Sequence, residues 1–370
     1  MSSFPDDRAI VRSFRQVRTA SATCVCVLAW FASTANAADA FQWSGFALLR
    51  ASNGVERGPL REEKLSAQLQ VGFDWTPSPF LGAHVHAIAR DDDANARRGH
   101  FGIAEAYFDA NFRPGNDRLR LRAGAFFLPG SRENVDALWE NAYAITPSAL
   151  NSWLGEELRP IGIDAAYTHR SLTAGATIYR GNDTFGAIPV VRGWSLRDHW
   201  ITLGEWIPVD AEYFTSVSAE NDHRLGWAAR GVWIGTNALV QLTHIDNRAD
   251  GHDYGRLFNW GTHFDIVSAE YTKDDWTFAA ESGWGPSFLI VEGQKFTTDL
   301  RATYALVSRR LPRGRATIRA DWFRAATHAR ALTLAYFWTP PGRLRPGIEL
   351  TRSEGKQRVI LEMRYSFSQR

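Results

Sequence analysis

The chain has 370 residues, with 42 Lys and Arg against 40 Asp and Glu. So close a balance leaves no basic excess to neutralise phosphates, which excludes nucleic acid as a partner. No segment past the N-terminal region reaches 18 continuous apolar residues, so helical membrane spans are excluded. Alternating strands are not excluded, because their hydropathy averages out.

The first element is a leader. Arg8, Arg12, Arg15 and Arg18 make a basic region, residues 20–31 are mostly apolar, and Ala35-Asn36-Ala37 is a small-x-small cleavage site. The pattern predicts a secretory signal peptide over 1–37, cut before Ala38. A short anchor is the alternative, disfavoured by the length of the segment and by the lack of a stop-transfer stretch. Cutting there removes four arginines and two aspartates and leaves the rest near zero net charge. Cys24 and Cys26 leave with it, so no disulfide, thiol chemistry or Cys metal site is expected afterwards, nor lipidation at the cut.

From residue 38 on, period-2 alternation is the dominant signal. It is clearest at 65–75, where Leu65, Ala67, Leu69, Val71, Phe73 and Trp75 face one way and Ser66, Gln68, Gln70, Gly72 and Asp74 the other. Eleven such residues suffice for a tilted strand to cross a bilayer. In chain order the predicted strands are 41–51, 65–75, 81–89, 104–112, 119–127, 161–167, 172–178, 227–233, 238–242, 259–271, 276–284, 300–306, 316–322, 332–338, 344–350 and 359–367. Within 104–112, Ala104, Ala106, Phe108, Ala110 and Phe112 are expected outward and Glu105, Tyr107, Asp109 and Asn111 inward. The last strand sets Val359, Leu361, Met363, Tyr365 and Phe367 against Ile360, Glu362, Arg364 and Ser366. A greasy face ending in aromatics, backed by a polar one, suits a barrel with lipid outside and water inside.

The connections sort by parity. One set (76–80, 113–118, 168–171, 234–237, 272–275, 307–315, 339–343) is mostly tight and turn-forming. The alternate set (52–64, 90–103, 128–160, 179–226, 243–258, 285–299) is long and polar, apart from its last members 323–331 and 351–358. A soluble β-sandwich has no reason to sort its connections so, and its strands run shorter. The fold class expected is therefore all-β, a transmembrane antiparallel barrel of sixteen strands over 38–370. The first strand begins close to the cut, leaving no room for a plug domain, so an aqueous lumen is expected. The predicted place is the outer membrane, and the predicted partners are its lipid and small hydrophilic solutes or inorganic ions.

Residues 128–160 form the third long connection and are expected to fold inward as a constriction, with 179–226 a long extracellular loop. Pro129-x-Ser131-x-Glu133-Asn134, the stretch from Trp153 to Asp164, and His244-Ile-Asp-Asn-Arg-Ala-Asp250 resemble the phosphate-selective porin O and P family. The resemblance covers most of the chain as a strand pattern and is specific in these segments. It implies a sixteen-stranded homotrimeric porin passing small anions or other small solutes. That family's anion preference rests on Arg and Lys clusters. Here the expected lumen arginines Arg120, Arg122, Arg230, Arg301, Arg319 and Arg364 face Glu105, Asp109, Asp164, Glu281, Asp299, Asp321 and Glu362. In the constriction, Glu133, Asp136, Glu140, Glu156 and Glu157 outnumber Arg132 and Arg159. This balance predicts weak selectivity. Phosphate or anion selectivity is the alternative, and for each single charge the bland reading is a solvated Arg–carboxylate network.

A barrel enzyme, a hydrolase, is the second alternative. Asp198, His199, Asp222 and His223 lie in the long loops, but no Gly-x-Ser-x-Gly elbow is present. His84-x-His86 puts two imidazoles on one strand face without a third ligand, as period 2 does by chance. No enzyme activity, cofactor or metal is expected. Trp75, Trp322, Trp338, Tyr365 and Phe367 fall at strand ends, where interfacial aromatics belong. Trp194, Trp200 and Trp206 are expected to give the long loop a core of its own, with sugar stacking as the alternative.

Overall fold

The computed structural model describes residues 40–53, 56–57, 60–61, 65–91, 100–134, 138–209, 214–255 and 257–369. The expected signal peptide and Asp136 lie outside them. Sixteen strands close into one antiparallel barrel. They are β1 (Phe41–Ser52), β2 (Leu65–Trp75), β3 (Leu81–Arg90), β4 (Phe101–Phe112), β5 (Arg118–Ala125), β6 (Ile161–His169), β7 (Leu172–Arg180) and β8 (Gly226–Ile234). The circle continues with β9 (Ala238–Asp246), β10 (Gly261–Lys273), β11 (Trp276–Val291), β12 (Gln294–Leu311), β13 (Gly314–Arg324), β14 (His328–Trp338), β15 (Leu344–Ser353) and β16 (Lys356–Gln369). Each strand pairs with its chain neighbours, and β16 closes on β1 from Trp43↔Gln369 to Ser52↔Ile360. Closure leaves no unpaired edge.

Alternation sorts the two faces. On β16, Val359, Leu361, Met363 and Tyr365 are exposed on the outer wall while Glu362 and Arg364 are buried inside. Every predicted strand is present, but three local expectations need correction. Residues 285–299 are not a loop: β11 and β12 run on past Trp284↔Arg301 as a hairpin to Val291↔Gln294. Its turn is Glu292-Gly293, both at positive φ (51° and 78°), the handedness that matches strand twist. The fifth strand stops at Ala125, because Phe126 and Phe127 turn into the interior and are buried there. Ala104 is fully buried rather than outward: a bulge between His86↔Glu105 and Ala87↔Ile103 inserts it as an extra residue.

The described residues from Phe126 to Pro160 run inside the barrel and are buried or half-buried apart from Ala142. This segment carries helix α1 (Ala149–Glu157), every residue of which is buried. The Ser148 hydroxyl caps its start by accepting from the Asn151 N–H, and Pro160 lies just past its end, where it cannot continue a helix. The described residues of 181–225 contribute Phe185, Trp194, Leu196 and Trp200 to a core with this segment. Phe127 stacks on Trp139 at 3.8 Å between ring centroids, Trp200 meets both edge-on, and Trp153 contacts Trp194 and Phe264. Trp194 and Trp200 thus serve a core shared with 126–160 and the wall. The loop has a core of its own built from Ala187, Ile188, Ile201, Ile207, Val209 and Val217 on Trp260, while Trp206 stays exposed.

Candidate functional site: the barrel interior

Wall side chains from β11, β13 and β15 hold the inner segment. Arg319 on β13 is fully buried and donates to Glu133 at 3.0 Å, Asp321 at 2.8 Å, and the carbonyls of Thr146 and Pro147 at 2.7 and 3.0 Å. Glu133 also accepts from the Ser148 N–H and the Asn151 amide, each at 2.8 Å. Burial pushes the Glu133 carboxyl upward, against the pull of Arg319. On β11, Glu281 accepts from Ser131, the Arg132 N–H, Ser268 and Tyr304. On β15, Glu349 takes the Thr146 N–H at 2.9 Å. A buried carboxylate is tolerated only when charge-paired or hydrogen-bonded, and each of these is.

The end of α1 carries two carboxylates with opposite fates. Burial alone would raise Glu156, but Arg192 and Arg197 hold it down at about 2. For Glu157 burial wins and pushes it up to about 7, opposed by N–H donors from Gly186, Trp153 and Ile188 and by the charge of Arg192. Arg159 lies over the Phe127 ring and donates to the Ile201 carbonyl. Its burial lowers it to about 9.

Two further clusters line the wall. Asp164 on β6 binds Arg230 through both oxygens (2.6 and 3.0 Å) and has Arg122 at 3.7 Å. Arg120 and Asp109 share that inward face, and Glu105 accepts the Phe127 N–H at 2.9 Å. Across the barrel, Glu362 joins Arg50, Arg345 and Arg364, while Glu140 meets Arg364 and Arg345 and Asp198 meets Arg50. Arg50 and Arg345 were not among the sequence candidates. The inward face of β1 also carries Phe46 and Leu48, buried against Leu138, which hides its polarity. Arg192 lies in a loop without periodicity.

Arg301 requires correction. Ala302 and Tyr304 are buried inside, so Arg301 is on the outer wall opposite Arg324, with Asp299 on the same outward face. The loop pairs part company: Asp198 binds Arg50 and His199 binds Glu205. His84 bonds Asp74 and His86 bonds Gln70, each ring taking its own partner. Among the described residues, Asp183, Glu220 and Asp222 bring carboxylate oxygens within 4.8 Å at the base of the long loop. There they cap the backbone N–H groups of Asn221, Gly181 and Arg224 respectively.

These features define a closed sixteen-stranded barrel of the outer-membrane type, its interior crossed by a pinned segment and balanced by Arg–carboxylate clusters. The sequence matches no protein-family model and no curated protein. By structure the chain is similar to OmpT, an outer membrane protein of Vibrio cholerae in its trimer form, at 11% identity and TM-score 0.57 over 88% of this chain and 99% of that one. It is similar to a loop L8 deletion mutant of that OmpT (10%, TM-score 0.56, 88% and 99%) and to a porin (10%, TM-score 0.51, 88% and 100%). At such identity the likeness concerns the fold.

Proposed function

We propose that this protein is an outer-membrane porin, exported through its N-terminal signal and giving small hydrophilic solutes or ions passive, weakly selective passage as a homotrimer. The observation that carries this is a lipid-type outer wall around a charged interior narrowed by a segment fixed to three opposing strands. Weak selectivity draws support from the pairing of the segment's acids: Glu133 with Arg319, Glu140 with Arg364, Glu156 with Arg192. For these three of the five expected carboxylates the neutralising cation comes from outside the segment, from the wall or the long loop. The trimeric OmpT neighbour supports the assembly.

Reversal potentials in a KCl gradient across a planar bilayer test the selectivity. Cation and anion permeabilities within a few-fold of each other are expected. Strong anion preference with phosphate block would replace this reading by the anion-selective one. Absence of conductance from inserted protein would remove the porin reading, and a monomer in mild detergent would remove the trimer.

A further inference from the structure

We propose that the outer wall binds a phosphorylated lipid headgroup of the outer leaflet, through Arg301, Arg324, Arg330 and Arg352 at the long-loop end of β12–β15. This rests on the membrane placement proposed above. Register sets the four side by side: Arg301 pairs with Arg324, Arg330 with Trp322, and Arg352 with Leu332. All are exposed, and with Trp322, His328 and Leu332 they line a concavity of about 1130 Å³. None makes an ion pair with a described residue, whereas interior arginines such as Arg50, Arg230, Arg319 and Arg364 are paired. Like charges directly opposite each other on a sheet repel, as Arg301 and Arg324 do, and an anion held between them relieves that repulsion.

The level of the patch says which anion. Below it the same face is Ala320, Ile318, Leu332, Leu334 and Leu350, a surface for acyl chains. Trp284 and Trp322, in register with Arg301 and Arg330, mark the interfacial girdle. The guanidiniums therefore stand at headgroup height, where their planar forks suit phosphate oxygens. Asp299, two residues before Arg301 on the same outward face, and Glu354, in the β15–β16 turn at the rim of the same concavity, lie on the loop side of the arginines, away from the apolar band.

Native mass spectrometry of the full barrel in mild detergent tests this with three ligands: a bis-phosphorylated acylated glycolipid, its dephosphorylated form, and inorganic phosphate. The wild type should retain the phosphorylated lipid at least tenfold better than the dephosphorylated one, and millimolar phosphate should not displace it. The R301Q/R324Q and R330Q/R352Q variants should lose that preference, while R309Q, at the opposite end of β12, keeps it. Equal retention by the variants, or of the dephosphorylated lipid, overturns the proposal. Displacement by free phosphate overturns it too, leaving a small-anion site. Bilayer insertion of the same samples separates the readings: insertion without lipid preference refutes this one alone, and failure of the wild type to insert refutes the membrane placement.

Discussion

Arg319→Gln should release the inner segment while leaving the barrel closed. The side chain makes four contacts, to Glu133, Asp321 and two carbonyls, with no exposed surface. Removing one partner of a buried ion pair costs about 3–5 kcal/mol, because the remaining charge is left uncompensated. Here two carboxylates are stranded. The barrel's ladder hydrogen bonds do not pass through this group, so the loss falls on docking of residues 126–160. At about 1.4 kcal/mol per decade, 3 kcal/mol raises the undocked-to-docked ratio about 100-fold. Single-channel recording should show larger or noisier conductance, and limited proteolysis should reach the segment. Heat-modifiable gel migration should still report a closed barrel. E133Q/R319Q, which removes both charges, should recover part of the loss through a coupling of about 1–3 kcal/mol. Unchanged conductance, noise and proteolysis in R319Q would refute the assigned role of Arg319.

Docking of α1 should depend on pH through Glu157. Its carboxyl is raised to about 7 in the folded chain, so the folded state binds the extra proton. Stabilisation is full below the unfolded value near 4.5 and is lost as pH rises through about 7, a change of order 3 kcal/mol. Glu156, held at about 2, acts only at lower pH, losing its contribution as pH falls from about 4.5. Protease sensitivity of 126–160 that stays flat between pH 5 and 7.5 would refute the Glu157 assignment. Gly155→Ala should push out the Trp200 ring, which a Cβ at 155 would strike, and destabilise docking by about 1–3 kcal/mol, read as altered Trp fluorescence. Asp164→Asn leaves Arg122 and Arg230 without their shared carboxylate, and the reversal potential should move toward anions by about two-fold in permeability ratio, with Arg230→Gln moving it the other way.

Sixteen strands were legible because each has one face toward the interior and one toward the outside, and period 2 records that difference residue by residue. The pattern is blurred where a second layer covers the inner face or a bulge shifts the register. Phe46 and Leu48 face inward because Leu138 covers them, and Ala104 leaves the pattern because a bulge adds a residue. Residues 285–299 looked like a loop because beyond Trp284 the hairpin no longer alternates between lipid and water. Candidate charges such as Glu133, Glu156 and Arg319 were visible as residue types. Their partners were not, since Arg319 meets Glu133 from 186 positions away and Arg50 meets Glu362 from 312. Period-2 alternation thus determined a barrel wall, and composition a near-neutral charge total. Only closure of the sheet decided which charges neutralise each other, which arginines stand outside alone, and how the inner segment is fixed, because those contacts join chain positions that local periodicity cannot relate.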